Sequence, residues 1–165
     1  YGEQTLHIRE LVEQTIAVVR RIASHLRPAI LDLGLLPALD WLASDFTAHT
    51  KIPCKTSFPI EVPELDEVTT TNVFRAIQES LTNIGRHSGA ETASISLRHD
   101  NGKLLIQVSD DGCGFDRSRV DSMHSFGLFS MRERILSSGG TLTVDSTPGA
   151  GTIIEISIPF GNQTQ

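Results

Sequence analysis

Four short motifs fall in one order along this chain: Gln78-Glu79-Ser80-Leu81-Thr82-Asn83, Asp110-Asp111-Gly112-Cys113-Gly114, Gly127-Leu128-Phe129-Ser130-Met131 and Gly149-Ala150-Gly151-Thr152. Each is weak alone. As a set they demand a fold that gathers a polar helix face and three glycine-bearing loops into one place.

The elements between the motifs follow from periodicity. Residues 5–26 read as one amphipathic helix, with Ile8, Val12, Thr15, Val19, Ile22 and Leu26 recurring at alternating steps of four and three. Leu11, Val18 and Ala23 widen that stripe, which suits a helical bundle better than a two-stranded coil. Arg27 precedes Pro28 and is biased away from helix, so the helix stops there. A connector over 28–34 leads to a helix over 35–50, with Pro37 in its first turn, where a missing N–H costs nothing. Residues 52–58 read as an edge strand between prolines. A helix follows over 66–87, with Val68, Val73, Phe74, Ile77 and Leu81 at helical spacing.

Strands over 92–98 and 104–109 alternate with period two and are joined by an Asn101-Gly102 hairpin turn. A polar loop over 115–125 precedes a helix expected from Leu128 to Ser138, stopped by Gly139-Gly140. Two more strands, 141–145 and 151–158, flank a Pro148-Gly149 turn. Five strands and three helices in this order give an α+β body, a mixed five-stranded sheet with helices on one face, preceded by a helical stalk.

The 165 residues, with 39% apolar content, suit one compact body plus an appendage. A net charge of −6 and the lack of a Lys/Arg-rich run leave no footprint for nucleic acid. No stretch approaches the roughly 18 apolar residues of a membrane span, and the start shows no signal peptide. The chain opens at Tyr1 already within a helical pattern, as a piece of a longer protein would. Cys54 and Cys113 have neither metal nor disulfide spacing, which fits a reducing, cytoplasmic setting. Cys113, between two glycines, is either a reactive thiol or a small residue tolerated in a turn.

The motifs carry specific chemistry. Glu79 and Asn83 project from one helix face a turn apart. An amide oxygen there can ligate Mg²⁺ beside phosphates, and a carboxylate can orient or deprotonate an attacking group. Arg86 and His87 add positive charge one turn on. Asp110, ending an apolar strand, can accept from the exocyclic amine of adenine. Gly112 and Gly114 let backbone approach a flat base. Gly127, placed before a helix start, would offer free N–H groups to phosphate oxygens, while Gly149 and Gly151 are either ligand-facing or a tight hairpin.

These motifs resemble, in order, the nucleotide-binding boxes of the GHKL ATPase superfamily. Leu26-Arg27-Pro28, Leu31-Asp32-Leu33-Gly34-Leu35, the motif ending at Asn83, and Gly127 through Arg134 are similar to sensor histidine kinases of the nitrate-sensor and membrane-fluidity-sensor type. The resemblance implies the Bergerat ATP-binding fold, a two-layer α/β sandwich, over residues 35–165. It implies a linker over 28–34 and, over 1–27, part of the second helix of a dimerisation and phosphotransfer hairpin. By that resemblance ATP and Mg²⁺ are the cofactors. Asn83 holds the metal, Glu79 takes the general-base position, and Asp110 reads adenine. Arg86, His87, Gly112, Gly114, Phe115, Gly127, Leu128, Gly151 and Thr152 surround the nucleotide, and Phe115–Phe126 form a short lid.

The implied partners are a response-regulator receiver domain and, in the full-length protein, a second copy through the stalk. Any membrane anchor lies outside this sequence. Departures are Arg86 where the family often has Lys, Gly85 inside a helix, and the phosphoacceptor. That residue is a His followed by an acid on the hairpin's first helix. His7 precedes Ile8 and His25 precedes Leu26, so neither fits, and His49, His99 and His124 have no such context either. This piece alone is therefore expected to bind ATP without phosphorylating itself. Two alternatives keep the ATP site: a serine kinase acting on an anti-sigma-factor antagonist, and a non-catalytic nucleotide-binding scaffold.

Overall fold

The protein, seen in a computed structural model, is described over residues 7–16, 18, 28–119 and 122–161, with backbone only for residue 119 and residues 122–125. Helix α1 (residues 7–16) exposes Ile8, Leu11, Val12 and Ile16 along its length. The rest of the expected stalk seam, Val19, Ile22 and Leu26, lies outside the described residues.

The 28–34 connector is a short 3₁₀ turn, Ala29–Leu33, whose Leu31 is buried against the body. Helix α2 (Leu35–Thr50) keeps the expected bounds and buries Leu35, Ala38, Leu39, Leu42, Ala43 and Phe46, the three-and-four spacing of a single apolar stripe. Lys51 closes it in the left-handed conformation, its N–H donating to the Thr47 carbonyl at 2.9 Å.

Helix α3 (Glu67–Asn83) starts at Asp66, whose carboxylate accepts from the Thr69 N–H at 2.8 Å and the Thr69 hydroxyl at 2.6 Å. The Thr69 hydroxyl, followed by its N–H, holds the Asp66 carboxyl below its ordinary range. Beyond Asn83 the helix does not stop as a regular α-helix but widens into a π-helical segment, Ile84–Ser88. Gly85 sits in that segment. A Cβ there would stand 3.1 Å from Thr50 Cγ2, so the bare backbone also serves packing against α2.

Strands β1 (Cys54–Ser57), β2 (Ala93–Asp100), β3 (Lys103–Asp110), β4 (Thr141–Ser146) and β5 (Thr152–Pro159) form one mixed sheet in the order β1-β2-β3-β5-β4. Only the β1–β2 pairing is parallel. The Asn101-Gly102 turn has positive φ at both residues (46° and 74°), the type I′ geometry expected of that dipeptide. Register places Ile95, Val108, Ile154 and Val144 in one row, and Leu97, Ile106, Ile156 and Leu142 in the next. All eight are buried under α2, α3 and α4. The alternate residues, among them Ser96, Gln107, Glu155 and Thr143, are half-buried or exposed on the helix-free face.

Helix α4 (Ser122–Leu136) corrects an expectation. It begins well before Leu128, because Ser122 to Phe126 contains no breaker and Gly127 alone is a tolerable interruption. The loop expected over 115–125 therefore holds a 3₁₀ turn, Arg117–Arg119, and the first turn of α4. The helix ends at Leu136, two residues short of the expected Ser138, and the expected glycine stop closes it: Gly139 (φ 74°) donates to Leu136 O and Gly140 to Ile135 O, the paired bonds of a glycine C-terminal cap.

Candidate nucleotide-binding site

One further row of the sheet, Ala93, Asp110, Thr152 and Ser146, lies at its end. By alternation these residues share the helix-facing side with the apolar core. No helix fills the space above them completely, and a cavity of about 100 Å³ remains between the row and α3. Its walls are Ile84, Val108, Phe115, Leu128 and Ile154. Its polar groups come from Ser80, Asn83, His87, Ser88, Asp110 and Thr152, with Gly114 at the edge. A mainly apolar cavity lined by a few polar side chains suits a heterocyclic base carrying a charged tail.

Asp110 and Asp111 are neighbours with opposite surroundings. Asp110 Oδ1 accepts from the Gly112 N–H at 2.8 Å. Burial pushes the Asp110 carboxyl above its ordinary range; the Gly112 bond opposes this and the nearby Asp111 charge adds to it. Among the described residues no hydrogen bond reaches Oδ2, which remains available to a ligand N–H. Asp111 is exposed and tied down. It accepts from Glu91 N–H (2.8 Å), Thr92 N–H (2.9 Å) and the Thr92 hydroxyl (2.8 Å), and the Thr92 N–H, then its hydroxyl, hold its carboxyl low. One carboxylate is aimed at a cavity and the other fastens the loop that carries it.

The glycines of the motifs serve backbone contact more than ligand contact. A Cβ on Gly112 would run into the Ser88 carbonyl, one on Gly114 (φ 58°) into the Thr147 carbonyl, and one on Gly151 (φ 75°) into the Asp110 carbonyl. Real bonds accompany these approaches: Cys113 N–H to Ser88 O at 2.7 Å and Gly149 N–H to Cys113 O at 2.6 Å. The Cys113 thiol, exposed, lies 3.4 Å from the His87 carbonyl oxygen. Cys54, by contrast, is pushed up to about 11 by burial and is chemically quiet.

Of the residues named from sequence, Asn83, His87, Asp110, Gly114, Phe115, Leu128 and Thr152 line the cavity. Glu79 lies beside it, half-buried, with its Oε1 3.1 Å from where a Gly127 Cβ would sit. The placement of Gly127 before a helix start is overturned. It lies inside α4, its missing Cβ letting that helix close on Glu79. Gly112 and Gly151 stand behind the lining, and Arg86 is exposed on the π segment. Ser80, Ile84, Ser88, Val108 and Ile154 were not singled out from sequence. Their helical or strand periodicity is that of ordinary core, which hides a lining role.

Among the described residues no three of His, Cys, Asp and Glu cluster as a metal cage. The donor at this cavity is the Asn83 amide, a single hard oxygen ligand. That suits Mg²⁺, which takes few protein ligands and completes its shell with phosphate and water. No described helix is long and apolar enough to cross a membrane.

Residues 69–162 match the family described as histidine kinase-, DNA gyrase B-, and HSP90-like ATPase. Over 154 residues the chain is 34% identical to the signal transduction histidine-protein kinase/phosphatase DegS of Brevibacillus brevis, covering 93% of this chain and 40% of that protein. Over 143 residues it is 35% identical to the sensor histidine kinase LiaS of Bacillus subtilis, covering 86% of this chain and 39% of that protein. The chain thus spans well under half the length of these two relatives. Among solved structures, the Acinetobacter baumannii histidine kinase AdeS superposes with a TM-score of 0.70 at 14% identity, over 94% of this chain and 84% of that one. The histidine kinase domain of the Erythrobacter litoralis EL346 blue-light activated kinase gives 0.60 at 22%, over 78% and 62%. At such identities the likeness speaks for the fold.

Proposed function

The chain belongs to the histidine kinase-, DNA gyrase B-, and HSP90-like ATPase family, and from that premise we propose that it supplies the ATP-dependent half of a phosphotransfer from ATP to a protein histidine. It is an ATP-binding catalytic domain of the kind sensor histidine kinases carry. The phosphoacceptor is a histidine on a first hairpin helix. The phosphoryl group then passes to an aspartate of a response-regulator receiver domain. None of the histidines in the described body offers the acceptor context; His99 is followed by Asp100 but lies on β2 with its ring against Phe160.

The observation that carries the reading is the half-buried Asp110 carboxyl set in a mainly apolar cavity that Asn83 and His87 also line. Asp110 accepts the exocyclic N–H of adenine through Oδ2, and Ile84, Val108, Phe115, Leu128 and Ile154 sandwich the ring and exclude water. Asn83 orients the phosphates with Mg²⁺, whose chemistry when bound is to offset their negative charge. His87 adds a donor from the π segment that follows α3. Arg86 approaches the phosphates from the exposed face of the π segment. Glu79, beside α4, is positioned to orient the incoming imidazole. Gly112, Gly114, Gly127 and Gly151 hold the surrounding loops in register, and Thr152 completes the base end. Residues 35–165 form the ATP-binding unit, 28–34 the linker, and 1–27 part of the hairpin through which two copies pair.

Calorimetric titration with ATP, with and without Mg²⁺, tests this on the 165-residue chain, Asp110→Asn and Asn83→Ala. Micromolar binding is expected. It should be lost in Asp110→Asn and lose its Mg²⁺ dependence in Asn83→Ala. Binding by the intact chain that Asp110→Asn leaves untouched would refute the assignment of the base pocket. Addition of the hairpin's first helix in trans, followed by phosphohistidine detection, tests the transfer.

A further inference from the structure

Ser146 ends β4, one strand over from Thr152 and two from Asp110 in the same row of the sheet. Its hydroxyl oxygen meets three groups: the Phe115 N–H at 3.0 Å, the Gly151 carbonyl at 3.1 Å and the Thr152 hydroxyl at 2.9 Å. The first partner can only donate and the second can only accept. Ser146 has one proton. If that proton goes to Gly151, all three contacts are hydrogen bonds provided Thr152 donates to Ser146. If it goes to Thr152 instead, the Gly151 carbonyl faces an oxygen lone pair at 3.1 Å, and Gly151 is a buried residue. Only the first arrangement satisfies every group.

We propose that Ser146 is a positioning residue of the nucleotide site: it takes the hydroxyl proton of Thr152 into the loop interior, so that Thr152 presents an acceptor to the bound base. The inference rests on the ATP reading above. Thr152 and Asp110 both line the cavity, and both then present acceptors at one end of it. Such an end selects a base edge that carries an exocyclic amine, directly or through a water molecule, and disfavours the same ring without one. The same hydroxyl holds the Phe115 N–H, so the slot wall and the base-reading end share one anchor.

The test compares binding of ATP and of purine riboside 5′-triphosphate, which has hydrogen in place of the 6-amino group, by the 165-residue chain and its variants. Ser146→Ala should weaken ATP by about tenfold, the size of one lost hydrogen bond in a dry site. It should weaken the amine-free nucleotide far less, so the preference between them narrows. Ser146→Thr should restore the preference. Adding Ser146→Ala to Thr152→Val should cost little beyond Thr152→Val alone. Equal weakening of both nucleotides, or full additivity, would mark Ser146 as merely structural and overturn the proposal. Should the alanine variant fail to fold, Ser146→Cys keeps the size while weakening both hydrogen-bonding roles, and the same comparison decides. A wild-type chain that binds neither nucleotide would instead refute the ATP reading, and the Ser146 proposal with it.

Discussion

Gly149 and Gly151 stand in one loop with nearly the same backbone, φ 82° and 75°, yet their surroundings differ completely. Nothing lies within 4 Å of where a Gly149 Cβ would be. A Gly151 Cβ would press on the Asp110 carbonyl oxygen, with the Asp110 carbonyl carbon at 3.0 Å and Asp111 Cα at 3.2 Å. Left-handed backbone costs an alanine about 1–2 kcal/mol at either position. At Gly151 the obstacle is backbone in the middle of a sheet row and cannot swing aside, so overpacking adds a further ~1–3 kcal/mol. Gly149→Ala should therefore destabilise by about 1–2 kcal/mol and Gly151→Ala by about 2–5 kcal/mol. Urea unfolding, followed by circular dichroism and by the fluorescence of the single tryptophan, Trp41, measures both. The strand end displaced at Gly151 carries Asp110, so ATP affinity should fall in Gly151→Ala and hold in Gly149→Ala. Equal destabilisation of the two variants, or unchanged ATP binding by Gly151→Ala, would refute the view that this glycine exists to admit the β3 backbone.

The two neighbouring aspartates should respond to pH in opposite senses. Asp110 is raised above 3.8, so folding takes up a proton between 3.8 and the raised value, and stability falls as pH rises through that window and stays lower above it. Asp110→Asn should accordingly shift the urea midpoint upward at pH 7 while abolishing ATP binding; a lowered midpoint would contradict burial as the cause. Asp111 is lowered, so its contribution is present above 3.8 and is lost as pH falls through its folded value. Asp111→Ala should lower the midpoint at pH 7, with the difference from wild type shrinking in acid; a difference that persists unchanged in acid would point to packing instead.

Most of the sheet could be read from the chain because period-two alternation and an Asn-Gly turn are local signals. The register that puts Asp110 and Thr152 side by side follows once the hairpin and the Pro148-Gly149 turn are fixed. Helix α2 was legible to the residue, since Gly34, Pro37 and the 35–46 stripe agree. Three things were not legible. The early start of α4 was hidden because a glycine at 127 reads as punctuation until the Glu79 side chain is seen facing it. The π segment at Ile84–Ser88 leaves no pattern in composition, because its residues keep helical spacing on either side. Asp111 carries no assigned role in its motif, and only the 91–92 backbone, distant in sequence, shows it to be a clamp.

The two ends of the site are built differently, and that difference sets where it is vulnerable. The end proposed for the base is a sheet row fixed by strand pairing, with loops that touch through glycines at Gly112, Gly114 and Gly151 and a hydroxyl, Ser146, joining three groups. Close backbone contacts of this kind do not relax when a methyl group is added. Substitutions there should change affinity and stability together. The end proposed for the phosphates rests on side chains of one helix and its extension, Asn83 on α3 and the exposed Arg86 and His87 on the π segment. Among the described residues the Asn83 and Arg86 side chains hold no other side chain in place, so removing them should cost the proposed phosphate and metal handling while the fold is spared. A paired measurement separates the two. Variants at Asn83 and Arg86 should lose phosphate-dependent affinity at constant urea midpoint. Variants at Gly112, Gly114 and Gly151 should lose both, in proportion to the clash each Cβ meets. A phosphate-end variant that unfolds the domain, or a glycine variant that keeps its stability and loses only ATP, would break this division.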